Sequence, residues 1–117
     1  MKVLIAEDTD SVGAALRWAM EYLGHEVVGV ACDGEDALEK YAQTQPEVVL
    51  MDVRMPRMDG LTCTSVLAQR HPDAKVIVVT GGRTTENQAR EAGAHGLVEK
   101  PFESAQLGFV LSQLAAT

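Results

Sequence analysis

Glu7 and Asp8 stand together directly after a short apolar run, and Asp52, Thr80 and Lys100 each follow another run of the same kind. In open α/β sheets, ligand sites lie outside the carboxyl ends of the strands, where the strand order reverses. If the runs are parallel strands, three carboxylates, a hydroxyl and an ammonium group meet in one crevice. Crowded carboxylates repel unless a cation offsets them, and a hard divalent ion with oxygen ligands is the natural partner. Mg²⁺ is the obvious candidate, because it takes one or two protein carboxylates, keeps several waters and leaves positions for a phosphoryl oxygen. Lys100 would bring a second positive charge to that oxygen, and Asp52 would be the nucleophile. Phosphoryl transfer asks little covalent chemistry of a protein, so an in-line nucleophile with charge neutralisation is nearly a complete catalyst.

The elements that must position these groups are legible in the hydrophobic pattern. Continuous apolar runs at residues 3–6, 27–31, 48–51 and 76–79, and more weakly at 97–98, predict strands buried on both faces. Between the first two, Val12, Ala15, Leu16, Ala19, Met20 and Leu23 form a helical stripe that Gly24 ends. A second helix carries Ala37, Leu38, Tyr41 and Ala42 and stops before Pro46; a third runs from about residue 60 to 70 and stops at His71 and Pro72. A fourth, from 84 to 92, has few apolar residues, is expected to be the least firmly packed and ends at Gly93. The last begins near Glu103 and aligns Leu107, Val110, Leu111 and Leu114. Five β-α units with right-handed crossovers give an α/β, doubly wound parallel sheet in a three-layer sandwich.

At 117 residues the chain is expected to be one domain, residues 1–117, with one site. A hydrophobic fraction of 46% with 4% aromatics marks a globular chain. The formal net charge of -7 speaks against a non-specific nucleic-acid or anionic-membrane binder, which needs a basic footprint. No apolar run approaches the roughly 18 residues of a membrane span, and the N-terminus enters a strand at once without an h-region, so a cytoplasmic protein is expected. Cys32 and Cys63 lack redox or zinc spacing and are expected to be reduced and buried. His25, His71 and His95 are scattered, and solvated or capping roles are expected of them rather than a metal site.

Taken in order, Glu7-Asp8, Asp52 within Met51-Asp52-Val53-Arg54-Met55-Pro56, Asp59-Gly60, Thr80-Gly81 and Lys100-Pro101 resemble the receiver family of two-component response regulators, over the whole chain. The resemblance implies a flavodoxin-like fold with sheet order 2-1-3-4-5; a member of this family is a standard example of that order, which the hydrophobic pattern does not itself supply. It implies that Asp52 accepts phosphate from the phosphohistidine of a histidine kinase or a histidine phosphotransfer protein. Glu7 and Asp8 would hold Mg²⁺, directly or through water, with Asp52 and the backbone carbonyl of Arg54. Thr80 would hydrogen-bond a phosphoryl oxygen and move toward it, Lys100 would bind another, and Gly81 would leave the nucleophile accessible. Lys100-Pro101 looks like the family's cis peptide, aiming the lysine. Such a protein is a signalling switch rather than an enzyme. It would signal through its fourth-helix, fifth-strand and fifth-helix face, or by onward phosphotransfer, to a downstream protein or an output domain outside this chain, as a monomer or a phosphorylation-linked dimer.

Three positions depart from the pattern or add to it. Leu97 stands where the family commonly has Tyr or Phe, so an inward-swinging aromatic is not available, and the loop from Thr80 to Arg83 with the fourth helix is the expected switch. Arg54 could reach over the phosphoryl group, or simply face solvent. Phe109 lies off the last helix's apolar stripe and is expected to be exposed for a partner. Blander roles exist beside these: a helix-capping acid pair for Glu7 and Asp8, and an ordinary turn for Asp59-Gly60, which is the favoured reading there. Two rival functions are a phosphorylation-independent pseudo-receiver that only binds, and a haloacid-dehalogenase-type phosphatase with Asp8 as nucleophile in Asp8-Thr9-Asp10-Ser11-Val12. The second lacks its acidic pair after Lys100, where only Glu103 follows, and leaves Asp52 without a task.

Overall fold

A computed structural model describes residues 1–115. Strands and helices alternate: β1 (Lys2–Ala6), α1 (Asp10–Tyr22), β2 (Glu26–Ala31), α2 (Gly34–Thr44), β3 (Val48–Asp52), α3 (Gly60–Arg70), β4 (Val76–Thr80), α4 (Glu86–Ala92), β5 (Gly96–Glu99) and α5 (Ser104–Ala115). All four strand pairings are parallel, in the order β2-β1-β3-β4-β5. The sheet is therefore the doubly wound one expected.

Side chains alternate across a strand, and β1 shows how this divides the core. Val3 and Ile5 pack with Leu16 and Met20 of α1 and Leu107, Leu111 and Leu114 of α5. Leu4 and Ala6 pack on the other face with Tyr41 of α2, Leu67 of α3 and Ala89 of α4. β3 and β4, with neighbours on both sides, are buried at every position. β2 is an edge strand, so Val27 and Val28 are only partly covered and Val30 is exposed, contrary to the two-sided burial its composition predicts. β5, the other edge, is fully buried only at Val98.

Helix ends follow local chemistry. Asp33 caps α2 by accepting from the Asp36 N–H at 2.8 Å, and Asp59 caps α3 through the Thr62 N–H at 2.8 Å. Thr85 and Gln88 form a capping box, so α4 starts at Glu86 rather than at Thr84, which is buried in the preceding loop. Gly93 ends α4 at φ 106, left-handed backbone where a side chain would be strained; the space a Cβ would fill is also within 3.0 Å of Ala68 Cβ. As expected, α4 is thinly anchored, with Ala89 its one buried residue.

Three expectations need correcting. Ala15 and Ala42 are exposed although they continue the apolar stripes of α1 and α2. In α1 the buried face instead includes Gly13, whose backbone lies close to Val30 and Glu7 side chains. Cys32 is exposed at the β2–α2 junction, while Cys63 is buried and its thiol is pushed up to about 12, chiefly by burial. Truncating Leu50→Ala, wholly buried in β3, is expected to lower stability by about 3 kcal/mol in urea unfolding. Ala15→Gln should shift it by less than about 0.5 kcal/mol; a comparable loss at both positions would contradict the assigned face of α1.

Candidate functional site

The carboxyl ends of β1, β3, β4 and β5 point the same way, and the expected residues gather there. Asp8, Asp52, Arg54, Thr80, Gly81 and Lys100 line one crevice of about 440 Å³, together with Thr9, Val53, Arg83 and Thr84. Asp52 and Thr80 are the last residues of β3 and β4 rather than the first after them, so the sheet's own hydrogen bonds fix their backbones. Asp52 and Thr80 are buried, whereas Asp8 is exposed at the rim. A larger cavity at the opposite end of the sheet, near Tyr41 and His71, contains none of these groups.

Behind the crevice, Glu7 is buried and fully engaged. Its Oε1 accepts from Lys100 Nζ at 2.8 Å and its Oε2 from the Thr9 N–H at 3.2 Å. Lys100 Nζ also donates to Asp52 Oδ1 at 3.1 Å, so one ammonium group bridges two carboxylates. Burial raises the Glu7 carboxyl above its ordinary 4.5, Lys100 pulls it down, and the neighbouring Asp52 pushes it up again; the balance is upward. For Lys100, burial disfavours the charge, but the hydrogen bonds to Glu7 and Asp52 outweigh it and the pKa is raised above 10.5.

Glu7, Asp8 and Asp52 offer carboxylate oxygens that all lie within 4.8 Å of one another. Hard oxygen donors at this spacing suit Mg²⁺ or a similar ion, and the donor set fits that group. Among the described residues no buried side-chain polar atom lacks a partner.

The remaining candidates fall outside the crevice lining. Leu97 is half-buried and packs with the core on the α2, α3 and α4 side of the sheet. The Lys100–Pro101 peptide is cis, as the resemblance implies, and the Lys100 N–H donates to the Thr80 carbonyl at 2.7 Å, tying β5's end to β4's. Phe109 is 64% exposed on α5. Asp10, which the phosphatase reading needs beside Asp8, opens α1 and does not line the crevice.

Gly60 is more than the ordinary turn residue its sequence suggests. A Cβ built there would overlap the backbone carbonyl of Asp52, so α3 can approach the Asp52 peptide group only with glycine at its first position. Arg83 ends the loop expected to switch, whereas Thr84 and Thr9 were not foreseen in the crevice wall. They come from loops, and no periodic signal marks them.

A family model of the response regulator receiver domain matches residues 3–111. The chemotaxis protein CheY of Thermotoga maritima is 32% identical over 116 residues, which cover 97% of each chain. The transcriptional regulatory protein PdtaR of Mycobacterium tuberculosis is 38% identical over 108 residues, 91% of this chain and 52% of that protein, so the chain spans about half of such longer relatives. Among solved structures, the chemotaxis complex of CheX with CheY, BeF₃ and Mg²⁺ from Borrelia burgdorferi superimposes with a TM-score of 0.94 at 26% identity, covering 100% of this chain and 90% of that one.

Burial leaves the Glu7 carboxyl holding its proton more tightly in the folded chain. The native state holds that proton to higher pH than the unfolded chain, so this group's contribution favours folding in acid and is given up as pH rises from 4.5 through the folded value. Carboxyl ¹³C NMR without metal is expected to show Glu7 titrating above 4.5, and higher still in Lys100→Met, where the bridging ammonium is gone. A midpoint at or below 4.5 in both proteins would contradict the arrangement.

Proposed function

The chain belongs to the response regulator receiver family, and on that premise we propose that it accepts a phosphoryl group on Asp52 in a Mg²⁺-dependent reaction and passes the resulting change to a partner. Receiver domains are signalling switches rather than enzymes and work with histidine kinases and downstream targets. The observation that carries the residue assignment is the Lys100 bridge between Glu7 and Asp52, set in a crevice that also holds Asp8 and Thr80.

The roles are those the family resemblance implies, and the crevice geometry is compatible with them. Mg²⁺ would be held by Asp8 and Asp52 with the Arg54 backbone carbonyl, and Glu7, each of whose oxygens already accepts one hydrogen bond, would act directly or through water. Bound there, the ion would neutralise charge on the phosphoryl oxygens and orient them. A carboxylate oxygen of Asp52 forms the new bond to phosphorus as the N–P bond of the donor phosphohistidine breaks. The bonding pair stays with the imidazole, which leaves neutral after taking up a proton. Lys100 keeps Asp52 from repelling Glu7 beforehand and offers its charge to a phosphoryl oxygen afterwards. Thr80, at the end of β4, supplies a hydroxyl donor from the opposite wall, and Gly81 keeps the approach open.

The likeness to a CheY structure holding BeF₃ and Mg²⁺ supports this reading, since Mg²⁺ and a phosphoryl mimic occupy that complex. We assign residues 1–117 to one receiver domain acting in the cytoplasm; separately, no described helix is long and apolar enough to cross a membrane. The donor is a histidine kinase or a histidine phosphotransfer protein. The receiving partner is a downstream protein or an output domain, met on the α4, β5 and α5 face, with the protein a monomer or a phosphorylation-linked dimer. Leu97, in place of a large aromatic, leaves the Thr80 to Arg83 loop and the thinly packed α4 as the elements that respond.

Incubation with acetyl phosphate should add one phosphoryl group to the intact protein, seen by mass, only when Mg²⁺ is present. Thr80→Ala is expected to slow or weaken the response, and Lys100→Met to reduce accumulation by at least about tenfold. Failure of the wild type to gain mass with Mg²⁺ would contradict the reading and favour a binding-only pseudo-receiver.

A further inference from the structure

The segment between Asp52 and Gly60 carries the crevice on one side and is gripped from the other. Val53 and Arg54 line the crevice, and the Gly60 N–H closes the loop by donating to the Val53 carbonyl at 2.8 Å. At the far side of the loop Arg57 adopts φ 67, left-handed backbone that a residue with a Cβ rarely takes unless something holds it there. What holds it is Asp33, at the β2–α2 junction, whose side chain is only 1% exposed.

Asp33 does two jobs with its two oxygens. Oδ1 caps α2 through the Asp36 N–H, and Oδ2 accepts from Arg57 Nη2 in a close ion pair. A helix cap needs only the first. The same junction meets the loop once more, and the start of α3 as well. A Cβ on Gly34 would come within 2.6 Å of the Met58 carbonyl oxygen, so the two backbones touch, and the Cys63 thiol donates to the Gly34 carbonyl at 3.4 Å. Charge and hydrogen bonding hold the Asp33 carboxyl below its ordinary 3.8, the Asp36 N–H contributing most and Arg57 next. Neither Asp33 nor Arg57 lines the crevice, and neither is one of the clustered carboxylates.

We propose that the Asp33–Arg57 pair is a positioning device for the metal-binding loop, setting Mg²⁺ affinity by fixing the loop that carries Arg54 against the acids at the ends of β1 and β3. It rests on the reading that Asp8, Asp52 and the Arg54 carbonyl hold the ion. Outer partners of this kind act by limiting where a ligand can stand, and their loss weakens metal binding without removing any ligand.

The test is Mg²⁺ titration of the unphosphorylated full chain by calorimetry. Arg57→Ala, at a side chain 64% exposed, should fold normally and bind Mg²⁺ about tenfold more weakly. Asp33→Asn keeps a capping oxygen but loses the charge and should show the same loss, and Arg57→Lys should restore part of it. Because the two residues act as one pair, the double variant should be no weaker than either single one by more than about twofold. Should Asp33→Asn fail to fold, the comparison of Arg57→Ala with Arg57→Lys decides. Mg²⁺ affinity within twofold of wild type in Arg57→Ala overturns the pair's role alone. A wild type that binds no Mg²⁺ overturns the underlying metal reading, and this inference with it.

Discussion

Two carboxylates buried side by side cannot both stay ionised without a cation between them, and at the ends of β1 and β3 that cation is Lys100, 2.8 Å from Glu7 and 3.1 Å from Asp52. The rest of the architecture serves this contact. The lysine sits just beyond β5, two strands away from β3 across β4, so the bridge exists only if the parallel sheet closes in its observed order. The Lys100 N–H held by the Thr80 carbonyl ties the same backbone to the strand that presents the hydroxyl. Lys100 thus offsets part of the negative charge before any ligand arrives, and a divalent ion would supply the rest.

Rigidity on the sheet side contrasts with latitude at the rim. β3 and β4 are buried along their whole length, and the residues that end them inherit that order. The loop after Asp52 is held by Gly60 packed against the Asp52 carbonyl and by Asp33 gripping Arg57. The loop after Thr80 has no such grip. It leads through Gly81 and Gly82 to α4, whose one buried residue is Ala89, and low local stability is what a responding element needs. One wall of the site is therefore held more firmly than the other, which is what the proposed switch role of the Thr80 to Arg83 loop and α4 calls for.

Much of this was legible in the residues. The strands showed as unbroken apolar runs because a parallel sheet covers both faces, and the acid, threonine and lysine ends followed from the rule that such sheets place their ligands there. Periodicity erred where coverage, not composition, decides: β2 is an edge, so Val30 is exposed, and Ala15 and Ala42 are too small and too peripheral for their stripes to be reliable. Cys32 was misplaced for the same reason. The Asp33–Arg57 pair joins residues far apart in sequence through two loops, and Gly60 reads as a turn until its distance to the Asp52 backbone is known. Contacts between loops depend on how the elements pack, which no local pattern encodes.

Asp52, and no neighbouring acid, is proposed to bear the phosphoryl group. An acyl phosphate is reduced by borohydride to an alcohol, converting a phosphorylated aspartate to homoserine, so treatment after acetyl phosphate and Mg²⁺ followed by peptide sequencing locates the group directly. Homoserine at position 52 is the predicted result. Homoserine at position 8 with Asp52 intact would contradict the account and move the nucleophile to the end of β1.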